Sequence, residues 1–331
     1  MKFATLEDGS LDGRMIIVSR DLTRCVSAGA IAPNLAEALR NWNAVEARLK
    51  AAYDGLNSSD AEDIHAFDPS RCLAPLPRSP QWCDASAFLN HGRLMDQAFN
   101  ATPIPDFDTV PVMYQGASDD FLGAAVDVSF QTEADGIDFE GEFGVIVGDV
   151  PMAVRPDEAL RCIRLVVQIN DWSLRTIGAR EYKTGFGFLQ AKPSTAFAPV
   201  AITPDELGSD WEAGRVLLNL YVELNGIRFG DANGGEMHYD FGQLIAHAAR
   251  TRRLTAGTII GSGTVSNLSR NAGSSCIAER RVIEIIDQGS ASTSFMKFGD
   301  RVRMEARRSG TDGGGPFGMI NQAVVAMAGR A

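Results

Sequence analysis

Four acidic residues stand where the surrounding pattern puts a rigid element beneath them. Asp138-Phe139-Glu140-Gly141-Glu142 leads into the apolar run 143–147. On a strand, side chains alternate, so Glu140 and Glu142 share a face. Two like charges side by side repel unless something positive lies between them, although an exposed strand start carries such a pair at little cost. Asp171, in Asn170-Asp171-Trp172-Ser173, follows the apolar strand 165–169. It is either a turn former or a ligand delivered by a rigid element. Asp84 is an isolated acid beside Trp82 and Cys83. Together, Asp84, Glu140, Glu142 and Asp171 offer oxygen ligands only. That set suits a hard divalent cation, Mg2+ or Ca2+, with Mn2+ a further candidate, and does not suit zinc.

The chain has four histidines: His65, His91, His238 and His247. His91 lies seven residues after Asp84, two turns of a helix, so on a helix both point the same way. A lone histidine is ordinarily a surface residue or a satisfied core residue, and the other three have no chemical company. Arg175, Tyr182 and Lys192 follow Asp171. The segment 185–195 is rich in glycine and small residues, which permit close backbone approach to a ligand; otherwise Arg175 and Lys192 are solvated charges. Glu279 sits among apolar neighbours that could bury it. Alternatively it pairs with Arg280 at the surface, a contact worth under about 1 kcal/mol.

These residues need elements to position them. A chain of 331 residues makes one large domain or two. With 45% apolar and 22% charged residues it reads as an ordinary globular protein. The net charge of −11 argues against nucleic acid or an anionic membrane as partner. Five cysteines without a C-x-x-C pair argue against a disulfide framework. The start has no signal-peptide pattern, and no apolar run reaches the ~18 residues of a membrane span; a cytoplasmic location is expected. No Gly-x4-Gly-Lys-[Ser/Thr] phosphate loop occurs.

Residues 1–30 alternate as short strands do. Asn34, with Glu37 three residues on, signals a capping box. Leu35, Leu39, Trp42, Val45, Leu49 and Tyr53 then follow at helical spacing, and Gly55-Leu56-Asn57 is the expected helix end. Residues 66–82 carry Pro69, Pro75, Pro77 and Pro80 and read as a stiff linker. A boundary near residue 70 gives an N-terminal domain, 1–70, and a second domain, 71–331. The remainder reads as short strands with glycine turns. Asn225-Gly226 marks a hairpin, helices are expected at 156–161 and 241–252, and the late GTDGGGP is a flexible turn.

Read in order, these motifs resemble the fumarylacetoacetate hydrolase superfamily over roughly residues 70–310. The resemblance rests on DFEGEFGVIVG (138–148), NDWSLR (170–175), KPSTAFAP (192–199), LTAGTIIGSGT (254–264) and FGDRVRME (298–305). The spacing of Asp84 and His91 is similar to that in fumarylacetoacetase-type members; many shorter acylpyruvate-hydrolase relatives lack that aspartate. The resemblance implies that Asp84, Glu140, Glu142 and Asp171 are the metal ligands, and that His91 is a general base oriented by Glu279. It implies that Arg175 and Lys192 face a developing oxyanion, that Tyr114 and Tyr182 hold the substrate carboxylate, and that Thr264 contacts substrate. Two substrate-side positions depart from the pattern: Asn100 stands where fumarylacetoacetase has an arginine, and Gly178 where it has a glutamine.

The fold implied is α+β and β-rich, a mixed β-sandwich roll with a small N-terminal β/α domain, in a homodimer. The implied activity is metal-dependent hydrolysis of a carbon–carbon bond in a β-diketone-like acid: a 2,4-diketo acid, an acylpyruvate or a fumarylacetoacetate-like compound, as in aromatic degradation. A decarboxylase, hydratase or keto–enol isomerase of a 2-keto acid would use the same metal site, and a non-catalytic binding relative would keep the fold alone.

Overall fold

The apolar runs 143–147 and 165–169 become the central strands of one large sheet in the computed structural model, which describes residues 1–58, 61–99, 104–311 and 313–328. Gly141–Val147 and Ile163–Asn170 pair antiparallel, with Glu142 opposite Ile169. Around them the spatial order is His65–Ala66, Arg24–Ser27, Arg14–Val18, Lys2–Leu6, Ala201–Ile202, Ile163–Asn170, Gly141–Val147, Ile259–Gly261, Trp82–Ala85 and Met113–Gly116. Ile259–Gly261 and Trp82–Ala85 run parallel, in an otherwise antiparallel succession. Strands from the first 66 residues therefore extend the same sheet, joined through Lys2–Leu6 against Ala201–Ile202.

Both faces of this sheet are covered, which is why its central strands read as nearly continuous hydrophobic runs. Ile146, Leu165, Val167 and Ile169 pack with Leu35, Leu39, Trp42, Leu49 and Tyr53 of the N-terminal helices. Val145, Val147 and Val166 face the other way, toward Leu220, Val222, Met304 and Ile320. Those residues belong to a second sheet of five strands, ordered Ile227–Asn233, Asn219–Leu224, Arg301–Arg307, Met319–Ala326 and Val128–Phe130. Gln168 crosses the gap and satisfies both its amide groups, donating to Met304 O at 3.1 Å and accepting from Ala306 N at 2.7 Å. The result is the expected strand-rich α+β architecture.

Local signals fared differently. Asn225 (φ 53°) and Gly226 (φ 77°) form the predicted tight hairpin turn. Asn34 caps the first helix by accepting from Glu37 N at 2.9 Å. The predicted single helix, however, is two, Leu35–Arg40 and Trp42–Ser58, broken at Asn41. The second runs past Gly55, because the side chains of Asn57 and Ser58 donate to the carbonyls of Tyr53 and Asp54 and hold one more turn. Of the later helices, Pro156–Ala159 continues as a 3-10 turn, Leu160–Cys162, and so spans the expected 156–161, whereas Phe241–Ala248 is shorter than expected. The proline-rich stretch is extended but not loose. Ala74 and Leu76 are buried, and Pro75 O accepts from Thr5 Oγ1 at 2.6 Å. The late glycine turn is fastened by Glu305, which accepts from Gly314 N and Gly315 N. No helix among the described residues is long and apolar enough to cross a membrane.

Candidate active site

Strand order brings together acids that lie far apart in the chain. Glu142 is the second residue of its strand, Asp171 follows the end of the neighbouring one, and Asp84 lies in Trp82–Ala85 beyond Ile259–Gly261. All three are buried, and one carboxylate oxygen from each lies within 4.8 Å of the others. Gly261, on the strand between Glu142 and Asp84, makes room. A Cβ there would sit 2.4 Å from Asp84 Oδ1 and 2.4 Å from the Trp82 ring. Asp84 accepts from Gly263 N at 3.0 Å. Both oxygens of Glu142 lack a hydrogen-bond partner.

Burial, reinforced by Asp171, pushes the Asp84 carboxyl up to about 7. Burial and the charges of Asp84, Asp171 and Glu140 push Glu142 well above the usual carboxylate range. Ionised carboxylates this close and this dry are costly unless a cation joins them. The orphaned oxygens of Glu142 and the all-oxygen donor set therefore fit a hard divalent ion held by Asp84, Glu142 and Asp171.

Glu140 is buried beside this cluster but is taken up by cations. Its Oε1 accepts from Arg175 Nη2 at 2.6 Å and its Oε2 from Lys192 Nζ at 2.5 Å. Burial alone would raise its pKa; the two cations outweigh that and hold the carboxyl far below its ordinary value. Lys192 also donates to Asp171 Oδ2 at 2.6 Å. Burial pulls this ammonium down, but Asp171 and Glu140 keep it firmly protonated. Of the four acids expected to share one role, Asp84, Glu142 and Asp171 offer oxygens within 4.8 Å of one another, and Glu140 lies beside them, sharing Lys192 with Asp171.

Asp138, the first residue of the acidic motif, is the hub behind the site. Its fully buried carboxylate accepts from Arg175 Nε at 2.8 Å, from Ile277 N at 2.7 Å and from Ala278 N at 2.9 Å. It therefore satisfies the first N–H groups of helix Ile277–Gln288 while aligning Arg175. Arg175 thus pairs with both Asp138 and Glu140. Nothing in the local sequence marks Asp138 as a helix cap, because the helix it caps begins well over a hundred residues later.

His91 Nδ1 lies 2.8 Å from Glu279 Oε2. Glu279 is buried in the first turn of Ile277–Gln288, with its N–H donating to Cys276 Sγ at 3.3 Å. Arg280 turns elsewhere, donating to Phe229 O and lying over the Phe229 ring, so the surface-pair alternative for Glu279 does not occur. The helical spacing of Asp84 and His91 was the wrong argument. Asp84 is on a strand and the helix Leu89–Phe99 begins after it. His91 nevertheless lies near enough to Glu140 for its positive form to favour Glu140's ionisation.

The remaining expected residues are spread around this centre. Tyr114, opposite Asp84 in its strand pair, donates to Asp171 Oδ2 at 2.5 Å. Thr195, which the sequence reading missed, donates to Asp171 Oδ1 at 2.7 Å. Thr264 is buried one residue after Gly263, whose N–H meets Asp84. Tyr182 is 76% exposed at the rim, where Phe188 lies edge-on between it and Tyr114. Gly178 is buried against Ala191. Asn100 lies outside the described residues.

Comparison with known proteins gives the family. The chain matches the fumarylacetoacetate (FAA) hydrolase C-terminal model over residues 81–325 and the fumarylacetoacetase N-terminal domain 2 model over residues 1–78. The 2,4-didehydro-3-deoxy-L-rhamnonate hydrolase of Sphingomonas sp. (strain SKA58) is 29% identical over 165 residues, 49% of this chain and 54% of that protein, so the match spans about half the length of that curated relative. The fold is shared with fumarylacetoacetate hydrolase from Exiguobacterium antarcticum (TM-score 0.66, 18% identity, 99% of this chain and 100% of the other). It is shared equally with maleylpyruvate hydrolase from Sphingobium sp. SYK-6 in complex with manganese(II) and pyruvate (TM-score 0.65, 15% identity, 98% and 99%). Because the C-terminal family model takes in every element that carries the site, from Asp84 through Glu279, the chain belongs to the fumarylacetoacetate hydrolase family.

Proposed function

We propose that this protein is a metal-dependent hydrolase that cleaves a carbon–carbon bond in a 2,4-diketo acid of the acylpyruvate type. The observation that carries the reading is the His91–Glu279 pair at 2.8 Å beside a buried carboxylate cluster. Hydrolysis needs a base to make hydroxide, whereas decarboxylation of a 2-keto acid does not. A divalent ion held by Asp84, Glu142 and Asp171 would supply Lewis-acid polarisation and a template for two substrate oxygens. Relatives support this class of chemistry: a sugar-acid hydrolase by sequence, and a maleylpyruvate hydrolase with manganese(II) and pyruvate by fold.

The chain's own residues account for the proton and charge movements. Assigned as the donor to Glu279, Nδ1 of His91 leaves Nε2 free to accept. Nε2 takes a proton from water as the oxygen attacks the substrate carbonyl, and Glu279 stabilises the imidazolium. Lys192 donates to the oxyanion of the tetrahedral adduct; one such donor is worth about 3–4 kcal/mol. The bond to the α-carbon then breaks, its electron pair passes into the adjacent ketone as an enolate, and the proton held by His91 is returned to the leaving fragment. Asp138 aligns Arg175, and Arg175 and Lys192 keep Glu140 ionised, so that Glu140 in turn holds Lys192 in place.

The test is product analysis by mass spectrometry after incubation with acylpyruvates and, separately, with oxaloacetate in the presence of Mn2+ or Mg2+. Pyruvate plus a free carboxylic acid from an acylpyruvate is the expected result. Turnover should vanish in His91→Ala while thermal stabilisation by the metal persists. Decarboxylation of oxaloacetate with no acylpyruvate cleavage, or normal hydrolysis by His91→Ala, would refute the proposal.

A further inference from the structure

We propose that Glu181 is a positioning residue that fastens the loop delivering Lys192; the inference rests on the preceding assignment of Lys192 to the reaction. Glu181 is buried in helix Arg175–Thr184, although Tyr182, Lys183 and Thr184 beside it are exposed. Its carboxylate meets three consecutive backbone N–H groups. Oε2 accepts from Leu189 at 3.0 Å and Ala191 at 3.1 Å, and Oε1 accepts from Gln190 at 2.9 Å. Successive N–H groups turned inward form a concave anion site, filled here by a side chain of the same protein. Ala191 is pinned again through its carbonyl, which accepts from Leu174 N at 2.8 Å. The two ends of one helix thus hold both polar groups of Ala191, and Lys192 is the next residue.

The loop has little else to order it. Gly185 (φ 71°) and Gly187 (φ 91°) flank Phe186, which is 97% exposed, and a Cβ at either glycine would meet nothing within 4 Å. Beyond this tip, Phe188 packs edge-on against Tyr114, whose hydroxyl binds Asp171. Glu284 and Glu305 fasten other turns by the same device, with two N–H groups each. Glu181 takes three, and its turn leads into the ammonium that bridges Glu140 and Asp171. Gly178, one helical turn earlier, faces the same segment: a Cβ there would meet Ala191 Cβ in an ordinary contact at 3.6 Å.

The test is Glu181→Gln in the full-length chain, which keeps the size but sets an amide N–H2 against the backbone N–H groups. Hydrogen exchange at Leu189, Gln190 and Ala191 is measured with steady-state kinetics, Mn2+ titration and melting temperature. Exchange at those amides should accelerate about tenfold or more as the local structure opens. The kcat should fall about ten- to a hundredfold from misplacement of Lys192, with KM, Mn2+ affinity and melting temperature near wild-type values. A positioning role is overturned by unchanged exchange, by unchanged kcat despite faster exchange, or by a kcat loss matched by lost Mn2+ binding and a lower melting temperature. If the wild-type chain turns over no diketo acid, the reaction assignment fails and the role falls with it; amide protection then still reports whether Glu181 fastens the loop.

Discussion

The carboxylate cluster should cost the metal-free protein stability, and replacing one acid should return it. In the folded chain burial and Asp171 push the Asp84 carboxyl up to about 7, against about 3.9 for an unperturbed aspartate. The native state therefore binds this proton more tightly than the unfolded state. The stability it lends is complete below about pH 4 and is lost as pH rises toward 7. Three pK units at about 1.4 kcal/mol each set a ceiling of about 4 kcal/mol at neutral pH, and sharing of charge with Glu142 and Asp171 brings the expected figure to about 2–4 kcal/mol.

Asp84→Asn removes the charge while its Oδ1 can still accept from Gly263 N. In EDTA at pH 7 the variant should melt about 3–6 °C above wild type, given about 1.4 °C per kcal/mol for a cooperative unit of 331 residues, and the gap should close near pH 4. With metal the order reverses. Mn2+ at a thousand times its dissociation constant should stabilise wild type by about 4 kcal/mol and leave the variant unmoved. Thermal melts at both pH values, with EDTA and across an Mn2+ titration, provide the assay. A metal-free variant less stable than wild type at pH 7, or one with the wild-type response to Mn2+, would refute the reasoning.

Three further outcomes are expected. Lys192→Met should lower kcat about 10²–10³-fold in steady-state assays, because the ammonium between Glu140 and Asp171 is gone. Asp138→Ala should cost about 3–5 kcal/mol, the typical penalty for breaking a buried ion pair, read as a lower urea midpoint; it strands Arg175 Nε and two helix N–H groups. Gly261→Ala should abolish stabilisation by Mn2+ in thermal melts and also lower the melting temperature of the metal-free chain, because its methyl group would lie 2.4 Å from Asp84 Oδ1 and 2.4 Å from the buried Trp82 ring.

Much of this protein was legible where the signal is local. The hairpin at Asn225-Gly226 follows from two residues able to adopt positive φ. The two-sided burial of the central strands follows from their nearly continuous apolar runs. Even the first helix cap was visible at Asn34. Local rules failed where a side chain intervened, as at Gly55, where Asn57 and Ser58 carry the helix onward. They failed again where periodicity was applied across an element boundary. Asp84 and His91 share a spacing but not a helix, and they approach the site from a strand and from a helix that begins at Leu89.

The sequence by itself determined which acids, cations and imidazole were available, and which strands would be buried deeply enough to make a charge there expensive. Only the tertiary structure decided how those charges were allotted. Strand order, with Ile259–Gly261 laid between Gly141–Val147 and Trp82–Ala85, assembled Asp84, Glu142 and Asp171. The arrival of Arg175 and Lys192 drew Glu140 to the cations, and the end of a distant helix gave Asp138 its role. A charge's partner is set by distance in space, and pairing between remote strands and helices fixes that distance without leaving a trace in the residues on either side.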